Sequence, residues 1–370
     1  MPLPCWQNND QPVPGESQNL VHCPEWSVTD ISPAASVIIV NWNGAHHLPT
    51  CLDSLAAQTY GDFETIVVDN GSTDGSLALL CDQYPWVNVV PLAENTGFAA
   101  GNNRGFEQAR GKYLVTLNND TRVEPDWLEH LLAVADAHPE AGMVGSRICT
   151  FNDPDRIDSL GMGICRDGMS RGRYRNRRWS ALALADVEEI LFPSACAALY
   201  RRTMLEEVGG FDEDFFAYAE DSDLGLRGRL AGWEALLATR AVVYHKYSQS
   251  AGSFSPLKVY LVERNHYWLA IKSFPVGQLL LLPFFTGIRY LEQLHQVASG
   301  RGSGGQFRDS DSRAGLGAAL LRGIGAALLG LPRMLAKRRR VMRTCRLSSR
   351  EARALLHRYH LGFAELLDDG

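Results

Sequence analysis

No pair of the 8 cysteines has CxxC spacing. Cys5, Cys23, Cys51, Cys81, Cys149, Cys165, Cys196 and Cys345 are scattered, which argues against a cysteine-built metal centre and for reduced thiols. The stretch 276–288 has 13 residues and contains Pro283, short of the roughly 20 of a membrane-spanning helix; the longer stretch 314–335 carries Arg322 near its middle and frequent glycines, so a span there is the least favoured reading. Residues 1–33 lack an early basic cluster followed by an apolar segment, so no secretory leader is read there and a cytosolic location is expected. Positive charge is not in excess either. Lys and Arg number 36 against 42 Asp and Glu, a formal net charge of -6, and nucleic-acid binding, which favours a basic domain, is not indicated. The first apolar segment is followed by Asn41-Trp42-Asn43-Gly44-Ala45-His46. Those residues hold neither a dinucleotide fingerprint nor the glycine-rich basic loop of a nucleotidyltransferase. No internal repeat is present.

With 45% hydrophobic and 21% charged residues, the 370-residue chain has an ordinary globular composition. Residues 1–34 are rich in Pro, Asn, Gln and Ser, without periodicity, and read as a loose arm. From Ser36 the pattern changes. Short β-branched runs at 36–40, 65–68, 87–91 and 113–117 alternate with helical stretches at 48–58, 76–84, 99–109 and 127–137. Further strands are expected at 194–200 and 241–244, and helices at 203–208 and 221–231. This alternation predicts an α/β fold with a mostly parallel, Rossmann-like sheet and helices on both faces. Ligands of such sheets bind beyond the carboxyl ends of the strands. Asn41–Asn43, Asp69 and Asn118–Asp120 fall there.

After about residue 256 the character shifts. Residues 257–273 read as a helix mixing Arg264, His266 and Lys272 with aromatics, and 296–313 as a Gly- and Ser-rich linker. The apolar stretch 314–335 precedes Lys337-Arg338-Arg339-Arg340. An apolar helix flanked by cations suits an anionic membrane surface; packing on the chain's own core or on a partner is the competing expectation.

Each polar position has two readings. Asp120 suits a hard divalent cation or a turn. Glu220, Asp221 and Asp223 suit acid–base chemistry or a helix N-terminus. His245 is a ligand or a hydrogen-bonded structural residue. Asp69 accepts from a base N–H or ribose hydroxyl, or forms a turn; Asn118 and Asn119 contact ribose or close a turn. Gly97, Gly101 and Gly105 form a loose glycine-rich stretch. Arg166, Arg171, Arg173, Arg175, Arg177 and Arg178 suit phosphates of a lipid-linked acceptor or a solvated loop.

The order of these pieces is more specific than any one. The segments 36–44 (SVIIVNWNG), 66–75 (IVVDNGSTDG), 94–105 (ENTGFAAGNNRG), 117–120 (LNND), 209–212 (GGFD), 216–224 (FAYAEDSDL) and 243–246 (VYHK) together resemble glycosyltransferase family 2, in its rhamnosyltransferase-like branch. The resemblance spans about 35–255. It implies a GT-A fold and inverting transfer of a sugar from a nucleotide-diphosphate donor; residues 256–370 lie outside the match and are expected to form a helical, membrane-associating region. It implies that Asp69 reads a pyrimidine base in a pocket lined by Asn41, Gly97, Asn118 and Asn119. Asp120 and His245 would hold Mg or Mn, and Asp221 would be the general base beside Glu220. The first acid of the family's DxD motif is Asn118 here, a form that favours a dTDP-rhamnose donor and weakens the pull on the cation. The expected acceptor is a saccharide or lipid-linked saccharide, used in bacterial surface polysaccharide or glycolipid synthesis at the inner face of the cell membrane, with 276–346 touching that surface. A non-catalytic scaffold on the same fold, or a sugar-nucleotide-binding subunit, is the rival from another class.

Overall fold

In a computed structural model the described residues are 32–246, 255–299 and 313–367. The expected arm lies outside them up to residue 31, as does most of the expected linker. Four parallel strands, β1 (Ala35–Asn41), β2 (Phe63–Asp69), β3 (Asn88–Pro91) and β4 (Tyr113–Leu117), lie in the order β4-β1-β2-β3. Helices α1 (Leu48–Ala56), α2 (Ser76–Gln83) and α3 (Gly97–Gln108) connect them. Successive residues of β1 serve opposite faces. Val37 and Ile39 join Leu48, Leu52, Leu80 and Trp127 in one core cluster, while Ile38 joins Ile66, Val68 and Ala99 in the other. Burial on both faces is why these strands read as unbroken apolar runs.

Beyond β4 the sheet becomes mixed. It adds β5 (Thr121–Val123), β6 (Ala141–Thr150) and β7 (Asp153–Ser159), then β10 (Val187–Glu189), β11 (Ala197–Arg201) and β12 (Glu234–His245). A separate hairpin pairs β8 (Met162–Ile164) with β9 (Ser170–Gly172). The edge order is β10-β12-β6-β11-β4, with β11 antiparallel to both neighbours. Strand β6 was not expected, because Gly142, Gly145, Ser146 and Arg147 interrupt its apolar pattern. Gly145 is required by a close approach: a Cβ there would lie 2.9 Å from Pro193 Cβ. Helices α4 (Trp127–Ala137), α5 (Arg202–Val208) and α6 (Glu220–Leu230) complete the layers. Five described cysteines are free thiols, but Cys81 is disulfide-bonded, against the expectation of reduced thiols throughout.

Seven C-terminal helices follow among the described residues: α7 (Pro256–Ser273), α8 (Val276–Leu279), α9 (Leu282–Ser299), α10 (Arg313–Leu329), α11 (Leu331–Thr344), α12 (Ser349–Arg358) and α13 (Phe363–Leu367). Helix α9 continues through Ser299, so the expected linker begins later than residue 296. The expected helix 314–335 is broken at Gly330, where α10 and α11 meet at 59°. No single helix among the described residues is long and apolar enough to cross a membrane, although α10 and α11 together pass on length and composition. Helix α7 packs against both, and Trp268 Nε1 donates to Ala327 O.

Helix α9 is inverted relative to an ordinary amphipathic helix. Its buried side carries Arg289, 1% exposed, which donates to Asp167 Oδ2 (2.5 Å) and to Glu263 Oε1 (3.1 Å). Its outer side carries Phe284, Ile288, Leu291 and Leu294, all exposed. Helix α9 thus buries a charged residue and leaves large apolar side chains exposed.

Candidate active site

The carboxyl ends of β1, β2 and β4 converge as the sequence predicts. Asn41, at the last position of β1, is fully buried and bridges two motifs. Its Nδ2 donates to Asp69 Oδ1 (3.0 Å) and Ser72 Oγ (3.2 Å), and its Oδ1 accepts from Asn119 Nδ2 (2.8 Å). The other Asp69 oxygen accepts from the Ser72 N–H (3.2 Å). Asp69 is thus held rigidly at the strand end, with its carboxylate as an acceptor. Asn43, in left-handed backbone at φ 50°, accepts from the Thr73 N–H at 2.7 Å and ties the two loops together.

The next residue, Asn70, reaches the 94–97 segment. Its Nδ2 donates to Asn95 Oδ1 and to Gly97 O, both at 3.1 Å. Gly97 itself has φ +90°, and a Cβ on it would come within 2.6 Å of the Phe216 ring and carbonyl. Its position is therefore a contact between the start of α3 and the acidic loop.

Strand β4 is followed by Asn118, whose Oδ1 is buried without a hydrogen-bond partner, and whose N–H donates to Cys196 O. Asp120 Oδ1 lies 3.3 Å from His245 Nε2, and His245 Nδ1 lies 2.8 Å from Asp158 Oδ2. Arg175 Nη1 sits 2.6 Å from the other Asp158 oxygen. The bond partners Asp120 and His245 are adjacent because β5 pairs antiparallel with β12, with Thr121 opposite His245. Burial by itself would raise the Asp120 carboxyl, but the His245 hydrogen bond and charge outweigh it and hold the group below its ordinary range. Burial opposes charge on His245, yet Cys196, Asp120 and Asp158 together push it well above an ordinary histidine.

The carboxylate and the imidazole form a donor set that fits a divalent cation, with Asp158 orienting the imidazole through its other nitrogen, the usual outer partner of a ligating histidine. Among the described residues no group of three or more His, Cys, Asp or Glu is arranged as a metal cage. Two such ligands would leave further positions for phosphate oxygens and water, the pattern magnesium favours. Cation binding here would displace the Nε2 proton and release it.

Glu220 and Asp221 open α6. Asp221 accepts from the Ala195 N–H (3.3 Å), the Ser222 N–H (2.6 Å) and the Ser222 hydroxyl (3.1 Å). Glu220 is buried and its Oε2 has no hydrogen-bond partner. Burial and then the neighbouring Asp221 charge push Glu220 well above the carboxylate range; burial also raises Asp221, while its three donors work the other way. The pair shares its protons. Three donors on Asp221 against an unpartnered Glu220 oxygen make Asp221 the better seat for the charge of the pair. Because Ala195 binds Asp221 and its neighbour Cys196 binds Asn118, the acidic pair and the Asp120–His245 pair flank the start of β11.

The loop before Glu220 is strained. Phe216 (φ 65°, ψ -66°) sits in a γ-turn closed by Ala217 N–H to Phe215 O at 2.8 Å, and Tyr218 and Ala219 are left-handed at φ 69° and 67°. Helix α7 holds this loop. Asn265 Nδ2 donates to the carbonyls of Phe215 (3.0 Å), Ala217 (2.9 Å) and Tyr218 (2.7 Å). Arg264 donates to the carbonyls of Asp214 and Phe215. Lys272 pairs with Asp212 at 2.6 Å and with Asp223 at 2.5 Å, joining the two ends of the segment. Lys337 and Arg333 of α11 add ion pairs to Asp212 and Asp214. Sequence reasoning missed Asp158, Asn265 and Lys272 as site residues. Lys272 and Asn265 had a signal, as polar positions inside a helix otherwise rich in aromatics, and Asp158 had none.

Residues 36–209 match the model of glycosyl transferase family 2. The chain is 30% identical over 248 residues to an N-acetylglucosaminyl-diphospho-decaprenol L-rhamnosyltransferase of Mycobacterium tuberculosis, covering 61% of this chain and 79% of that protein. It is 29% identical over 257 residues to the O-antigen biosynthesis protein RfbC of Myxococcus xanthus, covering 66% of this chain and 19% of that one. Among solved structures, GalNAc-T7 with UDP, GalNAc and Mn2+ superposes with a TM-score of 0.54 at 16% identity, over 68% of this chain and 50% of that chain. Residues 1–349 of S. aureus TarS superpose with a TM-score of 0.50 at 18% identity, over 88% of this chain and 90% of that chain. At such identities the likeness is one of fold, and the fold they share with this chain is GT-A. The matched motifs, the sheet and the relatives agree: this chain belongs to glycosyl transferase family 2 and is a glycosyltransferase.

Proposed function

We propose that the chain is an inverting, metal-dependent rhamnosyltransferase that moves L-rhamnose from dTDP-rhamnose to a hydroxyl of a saccharide carried on a lipid diphosphate. The observation that carries this reading is the placement of two differently tuned acidic sites about the start of β11: Asp120 with His245 on one side, Asp221 with Glu220 on the other. The donor is supported by the Asn118-Asn119-Asp120 form of the motif and by the name of the mycobacterial relative, which also supports the acceptor class.

Asp69 accepts from the pyrimidine N–H, kept in place by Asn41 and the Ser72 N–H. Asn118 and Asn119 line the ribose side. Asp120 and His245 would hold the divalent cation, which when bound supplies positive charge against the departing diphosphate. Asp221, fixed by three donors, takes the proton of the acceptor hydroxyl as its oxygen attacks the anomeric carbon. Glu220, pushed well above the carboxylate range by burial and then by Asp221, disfavours a second charge near the donor phosphates. A single displacement inverts the anomeric centre. We further propose that residues 35–255 carry this chemistry, and that 256–367 both brace the acidic loop and rest on the cytoplasmic surface of a membrane. The inverted face of α9 and the exposed Leu321, Leu328, Leu329 and Leu335 beside Arg333, Arg339 and Arg340 support the latter.

The test is a thermal-shift panel of nucleotide sugars with Mg, Mn or EDTA. dTDP-rhamnose at about 100 times its Kd should add about 2.7 kcal/mol of stability, and only with a cation present. Stabilisation by no nucleotide sugar under any condition would refute the catalytic reading. Sedimentation with vesicles containing phosphatidylserine checks the membrane proposal, which fails if the chain stays in the supernatant.

A further inference from the structure

The chain leaves β12 past His245 with a second positive group beside Asp120. The Lys246 N–H donates to Asp120 O (3.0 Å), one residue beyond the β5–β12 pairing. The Lys246 ammonium lies 3.4 Å from His47 Nδ1 and 5.0 Å from the centroid of the Phe151 ring. An ammonium can only donate, so Nδ1 accepts and the His47 ring is neutral. Burial, then His46 and Lys246, hold that ring below an ordinary histidine against the opposite pull of Asp120. His47 is itself fixed: it is buried at the start of α1, and its N–H donates to Gly44 O (2.8 Å). That turn rests on the strand-end asparagines, since a Cβ at Gly44 would collide with the side chains of Asn119 and Asn41. The ammonium thus stands where the loop after β1 meets the 118–120 segment.

Lys246 is half-buried and makes no ion pair among the described residues; residues 247–254 contain neither Asp nor Glu. Its two partners, a neutral imidazole and an aromatic ring, orient the charge without cancelling it. A departing nucleoside diphosphate carries more negative charge than one divalent cation offsets, and Asp120 adds another beside it. A fixed positive group at that place stabilises the developing charge without reorganising. We infer that Lys246 contacts the donor's diphosphate and stabilises it as it leaves, with His47 as its positioning residue. The inference rests on the proposed donor and adds the protein's own cation to that site. As the anomeric C–O bond breaks, its electron pair goes to the phosphate oxygen. Lys246 meets the diphosphate with a hydrogen bond and keeps its proton, while the acceptor's proton goes to Asp221.

The experiment compares equilibrium binding of dTDP and of thymidine to the full chain with Mg. Lys246→Met should weaken dTDP about tenfold or more, the loss of one hydrogen bond to a charged group, and leave thymidine unchanged. In the same variant kcat should fall about 10- to 100-fold. Lys246→Arg should recover most of both losses. His47→Leu should weaken dTDP several-fold, whereas His47→Asn, which keeps an acceptor for the ammonium, should stay near wild type. Thymidine binding reports whether the pocket is intact in each variant. If Lys246→Met keeps dTDP affinity and kcat within twofold of wild type, the assignment is overturned. Equal weakening of thymidine and dTDP would also overturn it, because Lys246 would then shape the pocket and not hold the diphosphate. Wild-type protein that binds neither ligand refutes the proposed donor itself, a failure separate from that of Lys246.

Discussion

Replacing Asn265 by Ala tests whether the C-terminal helices take part in catalysis without touching the reacting atoms. The side-chain amide donates to three carbonyls at 2.7–3.0 Å in a loop with three non-glycine residues at positive φ. Each such residue costs about 1–2 kcal/mol, so the loop holds roughly 3–6 kcal/mol of strain. A net hydrogen bond contributes about 1 kcal/mol, and a buried carbonyl left alone costs about 1–3 kcal/mol. The strain is thus comparable to the clamp, and the loop relaxes when the clamp is cut. Arg264 and Lys272 retain part of the hold, so unfolding free energy should fall by about 2–3 kcal/mol rather than by the full sum. Ala219 directly precedes Glu220, so relaxation moves the Asp221 carboxylate. A mispositioning worth about 1.4–2.7 kcal/mol lowers kcat by 10- to 100-fold. Asn41 and Asp69 have no bond to α7, and donor binding should be unchanged. Asn265→Asp, which turns a donor into an acceptor facing carbonyls, should be at least as damaging. The assays are steady-state kinetics with donor titration and urea unfolding. A kcat within twofold of wild type despite the stability loss, or equal loss of donor binding and turnover, would refute the positioning argument.

Asp221→Asn should lower kcat by about 10²- to 10⁴-fold, the range for a lost general base, with donor affinity kept; equal losses in both would point away from a base. Glu220→Gln, replacing a carboxyl whose ionisation burial and then Asp221 oppose, should keep kcat within about tenfold and leave the acidic limb of the pH profile in place; its abolishing turnover would mean the charge of Glu220 is used. That limb should lie above the ordinary aspartate range, with activity lost as pH falls through the raised value. His266 is pushed down to about 3 by burial and then by Arg289. Its folded value lies below its unfolded value, so stability is lost as pH falls from about 6.5 towards 3; at pH 5 the loss is about 2 kcal/mol. Urea midpoints at pH 7 and 5 check this, and His266→Gln should remove that share of the drop. Gly97→Ala places a Cβ against Phe216 at an unfavourable φ and should destabilise by more than 1 kcal/mol; a neutral melting point would show that the α3 contact gives way.

Local pattern carried much of this protein. Unbroken β-branched runs fixed β1, β2 and β4, because strands buried on both faces cannot alternate in polarity. Their ends named Asn41, Asp69 and Asp120 before any coordinates. The acidic pair at 220–221 and His245 were legible as motif residues, in an order that resembles a family. The partners of these residues were not legible. Asp158 lies 87 residues from His245 in a segment without periodicity, and Asn265 lies 44 residues past Asp221 in a helix that reads as an aromatic surface. Which carboxyl holds a proton is also invisible in sequence. Glu220 and Asp221 are neighbours, yet only one meets the N–H groups of Ala195 and Ser222. The outward direction of α9's leucines depends on Arg289 finding Asp167 and Glu263 inside. Periodicity reports that a helix has two faces. Which face turns inward, and what charge a carboxyl keeps there, is decided by the groups that tertiary packing brings within hydrogen-bond reach.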